Sequence, residues 1–307
     1  MKVNFKLTCI YQFYTMKSII NKFKITDGEK FSLKDFDPAY SDGFKKEDAE
    51  PLLQDLIKQT FDLAATLYAD NRYSLLIIFQ AMDAAGKDGA IAHTMSGLNP
   101  QGCEVHSFKQ PSAEELDHDF LWRHYKALPE CGRIGVHNRS HYENVLVTKV
   151  HPELLLNEHL HSIDSVKEVD GAFWEHRYES IRSFEKHLVS NGTMIIKFFL
   201  NLSKDEQKER FLKRIDDPKR NWKFSAADIE ERQFWDEYMK AYEKAIKETA
   251  TNQCPWYIIP ADKKWFTRLA ISTIILETLK GLDLKYPILP KEEKEKLDEA
   301  RKLLEEK

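Results

Sequence analysis

The sequence predicts an α/β fold in which a five-stranded parallel sheet carries helices on both faces. Short apolar runs alternate along the chain with segments of helical character, and the run SLLIIF (74–79) ends at a turn that contains glycine. A continuous apolar run of this length is typical of a strand buried on both faces of a parallel sheet. Doubly wound sheets of this kind bind ligands at the carboxyl ends of their strands. We therefore expect the site after residues 79 and 137.

The order of elements follows from the same alternation. The predicted strands lie at 74–79, near 104–108, at 134–137, at 193–200 (TMIIKFFL) and at 256–259 (WYII). The predicted helices lie at 47–68, 87–98 and 113–127, with a helical region at 152–189 and a further helix that contains Gln207 and Arg214. A polar, turn-rich arm (31–44) precedes the first helix. We expect an N-terminal arm over 1–46, one domain over 47–290 and a charged C-terminal helix over 291–307.

Composition indicates a globular chain without a membrane span. Of the 307 residues, 42% are hydrophobic and 31% charged, and no stretch approaches the roughly 20 apolar residues that a span requires. The net charge of −4 argues against bulk binding of nucleic acid. The first fifteen residues lack the apolar core of a secretory signal, and Met16 is an alternative start.

Cysteine usage indicates a reducing compartment. Cys9, Cys103, Cys131 and Cys254 are far apart and form no CxxC pair, so neither a zinc site nor a disulfide framework is predicted. We expect a cytoplasmic protein.

The segment FQAMDAAGKDGAIAH (79–93) contains Gly86 and Lys87 between a predicted strand and a predicted helix. Phosphate loops occupy this position, because backbone N–H groups and a helix N-terminus hold phosphate oxygens while the lysine neutralises them. Asp88 stands where such loops carry Ser or Thr, so Mg²⁺ cannot be held by a hydroxyl there. Asp83 within the loop is a candidate ligand for the cation. The alternative is a helix start whose acids complement the helix dipole.

Polar residues follow the predicted strand 134–137 in the segment IGVHNRSHYEN. Nucleoside triphosphatases keep a metal-binding aspartate at such a strand end, whereas this chain has Asn138. Arg139 suits a transferring phosphoryl group because its planar guanidinium binds two oxygens at once. A structural ion pair is the alternative for Arg139, and a helix cap or surface charge is the alternative for Glu143.

A basic segment follows the fourth predicted strand. Residues 197–223 hold nine lysines and arginines against five acids, and Arg210 and Arg214 share one helical face. Asp217 and Pro218 end the helix before a stretch marked by Trp222. The segment is suited to act as a lid that covers a polyanion and excludes water. A solvated helix face is the alternative interpretation.

Arg123 lies among aromatic residues in FLWRHY (120–125), where a guanidinium suits a stacked structural group as well as a phosphate ligand. His159 and His161 lack further ligands at metal-binding spacing, so no metal site is predicted there.

Three separated blocks resemble the family-2 polyphosphate kinases. They are QAMDAAGKDG, LWRHYKALPECGRIGVHNRSHYENVLVTKVHPE and DDPKRNWKFSAADIEERQFW, and the resemblance runs from about residue 31 to 287. It implies a three-layer P-loop kinase fold, similar to thymidylate kinase, with a helical lid at about 205–232. It also implies that inorganic polyphosphate phosphorylates nucleotides with Mg²⁺, for which Mn²⁺ is an alternative.

Roles for individual residues come with this resemblance. It implies that Asp83 binds the metal or orients the acceptor phosphate, that Lys87 belongs to the Walker-A loop, and that Arg123 and Arg139 lie near the transferring phosphate. The positions that it assigns to polyphosphate in the loop and the lid are Ala84, Ala85, Gly86, Asp88, Gly89, Arg210, Arg214, Arg220 and Lys223.

Two positions resemble one subgroup in particular. Many relatives have Asp and Asn where this chain has Asn138 and Glu143, whereas the subgroup called class III has Asn and Glu. That subgroup typically accepts both AMP and ADP. The resemblance therefore implies nucleotide binding by Asn138 and Glu143, and it puts direct metal binding by the strand end in doubt.

The expected function is Mg²⁺-dependent transfer of the terminal phosphate of polyphosphate to AMP and ADP, which forms ADP and ATP. Adenine nucleotides are the expected acceptors, with guanine nucleotides as an alternative, and no nucleic acid or membrane is expected as a partner. The family implies a homodimer or a homotetramer. The competing hypotheses are an ATP-dependent nucleoside monophosphate kinase and a non-catalytic sensor of nucleotide or polyphosphate.

Overall fold

A computed structural model of the chain describes residues 18–305. The predictions for the first fifteen residues, Met16 and Cys9 lie outside the described residues, as does the end of the predicted helix 291–307. Within residues 18–305 the sheet has six strands: β1 (Lys24–Ile25), β2 (Ser74–Gln80), β3 (Cys103–Ser107), β4 (Ile134–Asn138), β5 (Thr193–Asn201) and β6 (Trp256–Pro260).

The sheet has the order β1-β6-β5-β2-β4-β3. The five predicted strands pair in parallel, which confirms the predicted core of the sheet. The predicted strand count is wrong by one, because β1 adds an antiparallel edge next to β6. Two residues are too few to show an apolar periodicity, so the sequence gives no signal for this strand.

Residues 18–23 are helical at the start of the described part of the chain. Eleven further α-helices lie entirely within it, in addition to shorter 3₁₀ turns. They are α1 (Lys46–Asp70), α2 (Lys87–Thr94), α3 (Ala113–Leu116), α4 (Trp122–Tyr125), α5 (Glu143–Val150), α6 (Gly171–Ser190), α7 (Lys204–Asp216), α8 (Ala226–Glu231), α9 (Trp235–Thr249), α10 (Lys264–Lys280) and α11 (Lys291–Glu305). None of these helices is both long and apolar enough to cross a bilayer.

Helices cover both faces of the sheet and enclose two hydrophobic cores. All seven residues of β2 are buried, and its side chains alternate between the cores. Leu75 and Ile77 pack with α1, α2 and α10 on one face. Leu76 and Ile78 pack with α5, α6 and α9 on the other face. This is the predicted three-layer arrangement, and it fixes the loop after β2 at the centre of one sheet edge.

Three predicted helices differ from the structure. The helix at 87–98 ends at Thr94. The helix at 113–127 is wrong, because it is divided into α3 and α4, and the Asp119 carboxylate between them accepts a hydrogen bond from the backbone of Leu121. Such a side-chain bond competes with helix continuation. In the region 152–189 the long helix starts only at Gly171, where the Asp170 carboxylate caps it, and 3₁₀ turns precede it.

Candidate active site

A cleft of about 1010 Å³ opens at the carboxyl edge of the sheet, where the sequence predicted it. The loop between β2 and α2 forms its floor, and its walls come from the ends of β3 and β4, from α7 and α8, and from the start of α10. Among residues 18–305 the cleft is lined by ten lysines and arginines and by three aspartates. A concave surface with this excess of positive charge attracts a polyanion.

The loop after β2 has the backbone of a phosphate-binding nest. Ala84 and Gly86 both have left-handed backbones, with φ of 60° and 97°, and α2 begins at Lys87. Successive N–H groups in such a loop point toward one place, together with the positive end of the helix dipole. Left-handed backbone is unfavourable for alanine, and strain of this kind clusters at functional sites. Asp88 and Gly89 occupy the first turn of α2 at the cleft.

The Lys87 ammonium lies beneath this loop. Its side chain is buried, and Nζ donates to the carbonyl oxygen of Ala81 at 2.7 Å. Burial lowers the pKa of Lys87, and the nearby Arg139 guanidinium lowers it further. An ammonium has three donors, so Lys87 retains two more for oxygens of a bound phosphate.

Arg139 lies between two carboxylates. Its Nη2 is 2.8 Å from Asp83 Oδ1, and its Nη1 is 3.6 Å from Glu143 Oε2. Glu143 raises the pKa of the guanidinium and Asp83 raises it further, although partial burial opposes them. The backbone of Arg139 is left-handed, with φ of 64°, and its N–H donates to Phe79 at the end of β2. The structure thus connects three residues that the sequence predicted separately.

Asn138 connects the end of β4 to the phosphate loop. Its amide donates to Asp88 Oδ1 at 2.8 Å and to Ser107 Oγ at 3.3 Å. Asp88 stands at the position of the usual hydroxyl residue. Its carboxylate has a neutral partner, the Asn138 amide, which holds it next to the end of β4.

Arg210 is buried on α7, with 7% of its surface exposed. Its guanidinium donates at 2.6–3.1 Å to four backbone carbonyl oxygens, those of Ala84, Ala85, Ala261 and Asp262. Its Nε also pairs with Glu206 at 2.8 Å. The resemblance implied a ligand of polyphosphate; in this structure the donors of Arg210 bind two carbonyl oxygens of the phosphate loop, two that follow β6 and the Glu206 carboxylate. Because Arg210 binds the carbonyl oxygens of Ala84 and Ala85, it fixes the orientation of the loop backbone.

The other arginines of the predicted lid also have acidic neighbours. Arg214 Nη1 lies 3.1 Å from Asp228 on α8, and Arg220 Nε lies 3.0 Å from Asp217. Burial raises the pKa of Asp228, and the charge of Asp83 raises it further, so these two carboxylates face the same part of the cleft. The side chain of Lys223 lies outside the described residues.

Arg123 does not line the cleft. Its Nη2 donates to the carbonyl oxygen of Lys109 at 2.8 Å, and its Nη1 is 3.1 Å from Glu115. The guanidinium also lies over the ring of Phe108, 5.1 Å from its centroid. Arg123 therefore supports the loop after β3, which lines the cleft with Phe108 and Lys109.

A buried polar network holds the turn that carries Arg139 and Glu143. Lys197 Nζ donates to Glu185 at 2.6 Å and to the hydroxyl of Tyr142 at 2.9 Å, and that hydroxyl donates to Glu185 at 2.7 Å. Burial alone would raise the pKa of Glu185, but Lys197 lowers it overall. Paired charges in a buried network favour one arrangement of the residues that they join.

Sequence reasoning missed several residues that line the cleft. They are Ser107, Phe108, Lys109, Gln110, Asp228, Lys264, Thr267 and Arg268; Lys213, Lys219 and Trp222 also line the cleft, and they lie in the basic segment that the sequence predicted as a lid. Lys264 and Arg268 carried a usable signal, because they follow the end of a predicted strand at helical spacing. Asp228 carried none, since its position depends on how α8 folds back over the cleft.

Asp83 is the candidate ligand for a divalent cation. Its side chain is 30% exposed in the cleft. Among residues 18–305 no group of three or more His, Cys, Asp or Glu side chains is arranged to hold a metal. Mg²⁺ is commonly bound by one or two carboxylates together with substrate phosphates, so a single loop carboxylate fits this cation.

The parallel sheet, the loop that opens α2 and the cationic cleft define a P-loop phosphotransferase of the nucleotide kinase type. Comparison with known families gives a narrower class. Residues 43–287 match the model of the polyphosphate kinase 2 family, and the chain belongs to this family.

Relatives whose names state an activity align with most of the chain. An ADP-polyphosphate phosphotransferase of Rhodopseudomonas palustris is 52% identical over 94% of this chain and 100% of that protein. An AMP/ADP-polyphosphate phosphotransferase of Meiothermus ruber is 42% identical over 87% of this chain and 96% of that protein. The crystal structure of polyphosphate kinase 2 from Arthrobacter aurescens is 39% identical, with a TM-score of 0.82 over 92% of this chain and 95% of that one.

Substitution of Arg210 tests whether it holds the loop. Arg210→Met leaves four carbonyl oxygens without their charged donor, so we expect the free energy of unfolding to fall by about 3 kcal/mol. Urea denaturation measures this change. Lys213→Met is the matched control, because Lys213 lies on the same helix but pairs only with exposed Glu209, and it should change the free energy by less than about 0.5 kcal/mol. Equal stability of the two variants would contradict the role of Arg210.

Proposed function

We propose that the protein transfers the terminal phosphate of inorganic polyphosphate to ADP and to AMP, with Mg²⁺, and so forms ATP and ADP. The observation that carries this proposal is the Asp83–Arg139 pair beside a phosphate loop, in a cleft lined mainly by cations. Relatives named as phosphotransferases that use polyphosphate support it.

The acceptor nucleotide is proposed to bind at the ends of β3 and β4. Asn138 and Arg139 line the cleft there, and Glu143 adjoins them at the start of α5. A nucleotide phosphate is already ionised at neutral pH, so its oxygen attacks without a general base. The terminal P–O–P bond of the donor breaks, a new P–O–P bond joins the phosphoryl group to the acceptor, and the shortened polyphosphate leaves with the bonding electrons.

The residues of the chain act in this step by position and charge. Mg²⁺ would be held by Asp83 and would supply positive charge that neutralises the phosphates. Lys87 and the loop N–H groups bind the transferring phosphate. Arg139 exchanges a carboxylate for phosphate oxygens, two of which a guanidinium can bind at once. Arg123 contributes indirectly, through the loop that carries Lys109.

Use of AMP as well as ADP rests on Glu143. Its carboxylate is one of the two partners of Arg139, so it influences where the guanidinium meets the acceptor. We propose that Asn138 and Glu143 together position the shorter nucleotide. One relative is named for ADP and another for both AMP and ADP, so the names of relatives do not decide between these acceptors.

A donor comparison tests the proposed function. Purified protein is incubated with AMP, Mg²⁺ and either long-chain polyphosphate or ATP, and nucleotides are followed by chromatography. We expect ADP and then ATP from polyphosphate, and no product when the metal is chelated. Phosphorylation of AMP by ATP alone would instead support a nucleoside monophosphate kinase. Binding of polyphosphate without any product would support a sensor.

We also propose that the protein is a homo-oligomer, either a dimer or a tetramer. Helix α11 has no buried residue, and three leucines on it are largely exposed in the single chain: Leu297, Leu303 and Leu304, at 56%, 70% and 79%. Contact with another copy would cover such apolar side chains. Light scattering on the purified protein measures the mass, and a value equal to one chain of 36.0 kDa would contradict the proposal.

A further inference from the structure

Two cations of α10 line the wall of the cleft on the β6 side. Lys264 and Arg268 are four residues apart, so they lie on one face of the helix and about 6 Å apart along its axis. Within residues 18–305 neither side chain has a hydrogen-bonding or ion-pair partner. Arg139 and Arg220, in contrast, each have a carboxylate partner.

Positive charge is crowded around this pair. Burial lowers the pKa of the Lys264 ammonium, and the guanidinium groups of Arg210, Arg220 and Arg268 lower it further, while Glu206 opposes them. Like charges held together are unfavourable without a counter-charge. An anion bound between α10 and the lid would relieve this repulsion.

Arg268 has a similar environment. Burial lowers the pKa of its guanidinium, and Glu50 on α1 opposes this effect from beyond ion-pair distance. Of the residues with which α10 lines the cleft, Lys264 and Arg268 are cationic, and the Thr267 hydroxyl already donates to Pro260. The helix therefore presents charge alone, which suits phosphates and gives no ring on which a nucleotide base would stack.

The topology separates this pair from the proposed acceptor. In the sheet, β5 and β6 lie on one side of β2, and β4 and β3 lie on the other. Helix α10 packs beside α2, whose first residue is Lys87. A donor chain whose end lies at the loop can thus continue over α2 toward α10, away from Arg139.

We propose that Lys264 and Arg268 form a subsite for the internal phosphates of the donor, remote from the phosphate that is transferred. This inference rests on the proposed function, and it makes donor binding dependent on chain length. We expect a long polyphosphate to reach both cations, and a donor of three phosphates, whose end is held at the loop, to stop short of them.

The test is a double variant, Lys264→Gln with Arg268→Gln, compared with Lys280→Gln with Lys285→Gln. The control removes the same charge from exposed residues outside the cleft. Equilibrium binding of long-chain polyphosphate and of tripolyphosphate is measured without nucleotide. We expect the cleft variant to raise the Kd for the long chain about tenfold or more, with less salt dependence, because two charge-assisted phosphate contacts are lost. The Kd for tripolyphosphate should change by less than about twofold, which corresponds to about 0.4 kcal/mol.

Kinetics give a second measurement. With AMP as acceptor, the cleft variant should raise the KM for long-chain polyphosphate and leave both kcat and the KM for AMP unchanged. An equal loss for both donors, or an unchanged Kd for the long chain, would overturn the subsite. Tight binding that depends on the pair, without transfer by the wild-type protein, would overturn the proposed function and leave the subsite standing.

Discussion

The structure depends on the balance of charge around Arg139. One guanidinium pairs with Asp83 from the phosphate loop and with Glu143 from the start of α5, so two strand ends and a helix meet at a single cation. In the proposed function the same three side chains would provide a cation ligand, a phosphate ligand and a contact near the acceptor. Together these two carboxylates and one guanidinium carry a net charge of −1. The proposed reaction would redistribute their pairings among metal and phosphates.

The surroundings hold this arrangement at the level of the backbone. Arg210 binds the carbonyl oxygens of Ala84 and Ala85 in the phosphate loop, and Lys197 binds Tyr142 and Glu185 next to the turn that carries Arg139. Both cations are buried and spend their donors inside the protein. Their hydrogen bonds and ion pairs offset the cost of desolvation, and they hold the groups that face the cleft in place. The cleft thus contains cations of two kinds, those that build the site and those that remain available to a polyanion.

The sequence predicted the parts of the site that depend on local pattern. A continuous apolar strand followed by Gly86 and Lys87 located the phosphate loop. Polar residues after the strand that became β4 located Asn138 and Arg139, because parallel strands end at one edge of the sheet. The role of Arg210 was not predictable, since its partners are carbonyl oxygens on distant segments. The edge strand at Lys24 was too short to leave a periodic signal. The predicted helix after Ala113 is divided although its composition favours a helix, because the Asp119 side chain binds the backbone there.

The central claim is that the carboxylate of Asp83 holds the metal through which two anionic substrates meet. The most direct test compares the kcat for phosphate transfer from polyphosphate to ADP in the variants Asp83→Asn and Asp88→Asn. Thermal unfolding establishes that both variants fold. Asp88 accepts from the Asn138 amide, and an asparagine oxygen at position 88 can still accept that bond. We predict that kcat falls about a thousandfold in Asp83→Asn, as expected when charge stabilisation in the transition state is lost, and much less in Asp88→Asn. A folded Asp83→Asn variant with near-normal kcat would contradict the account.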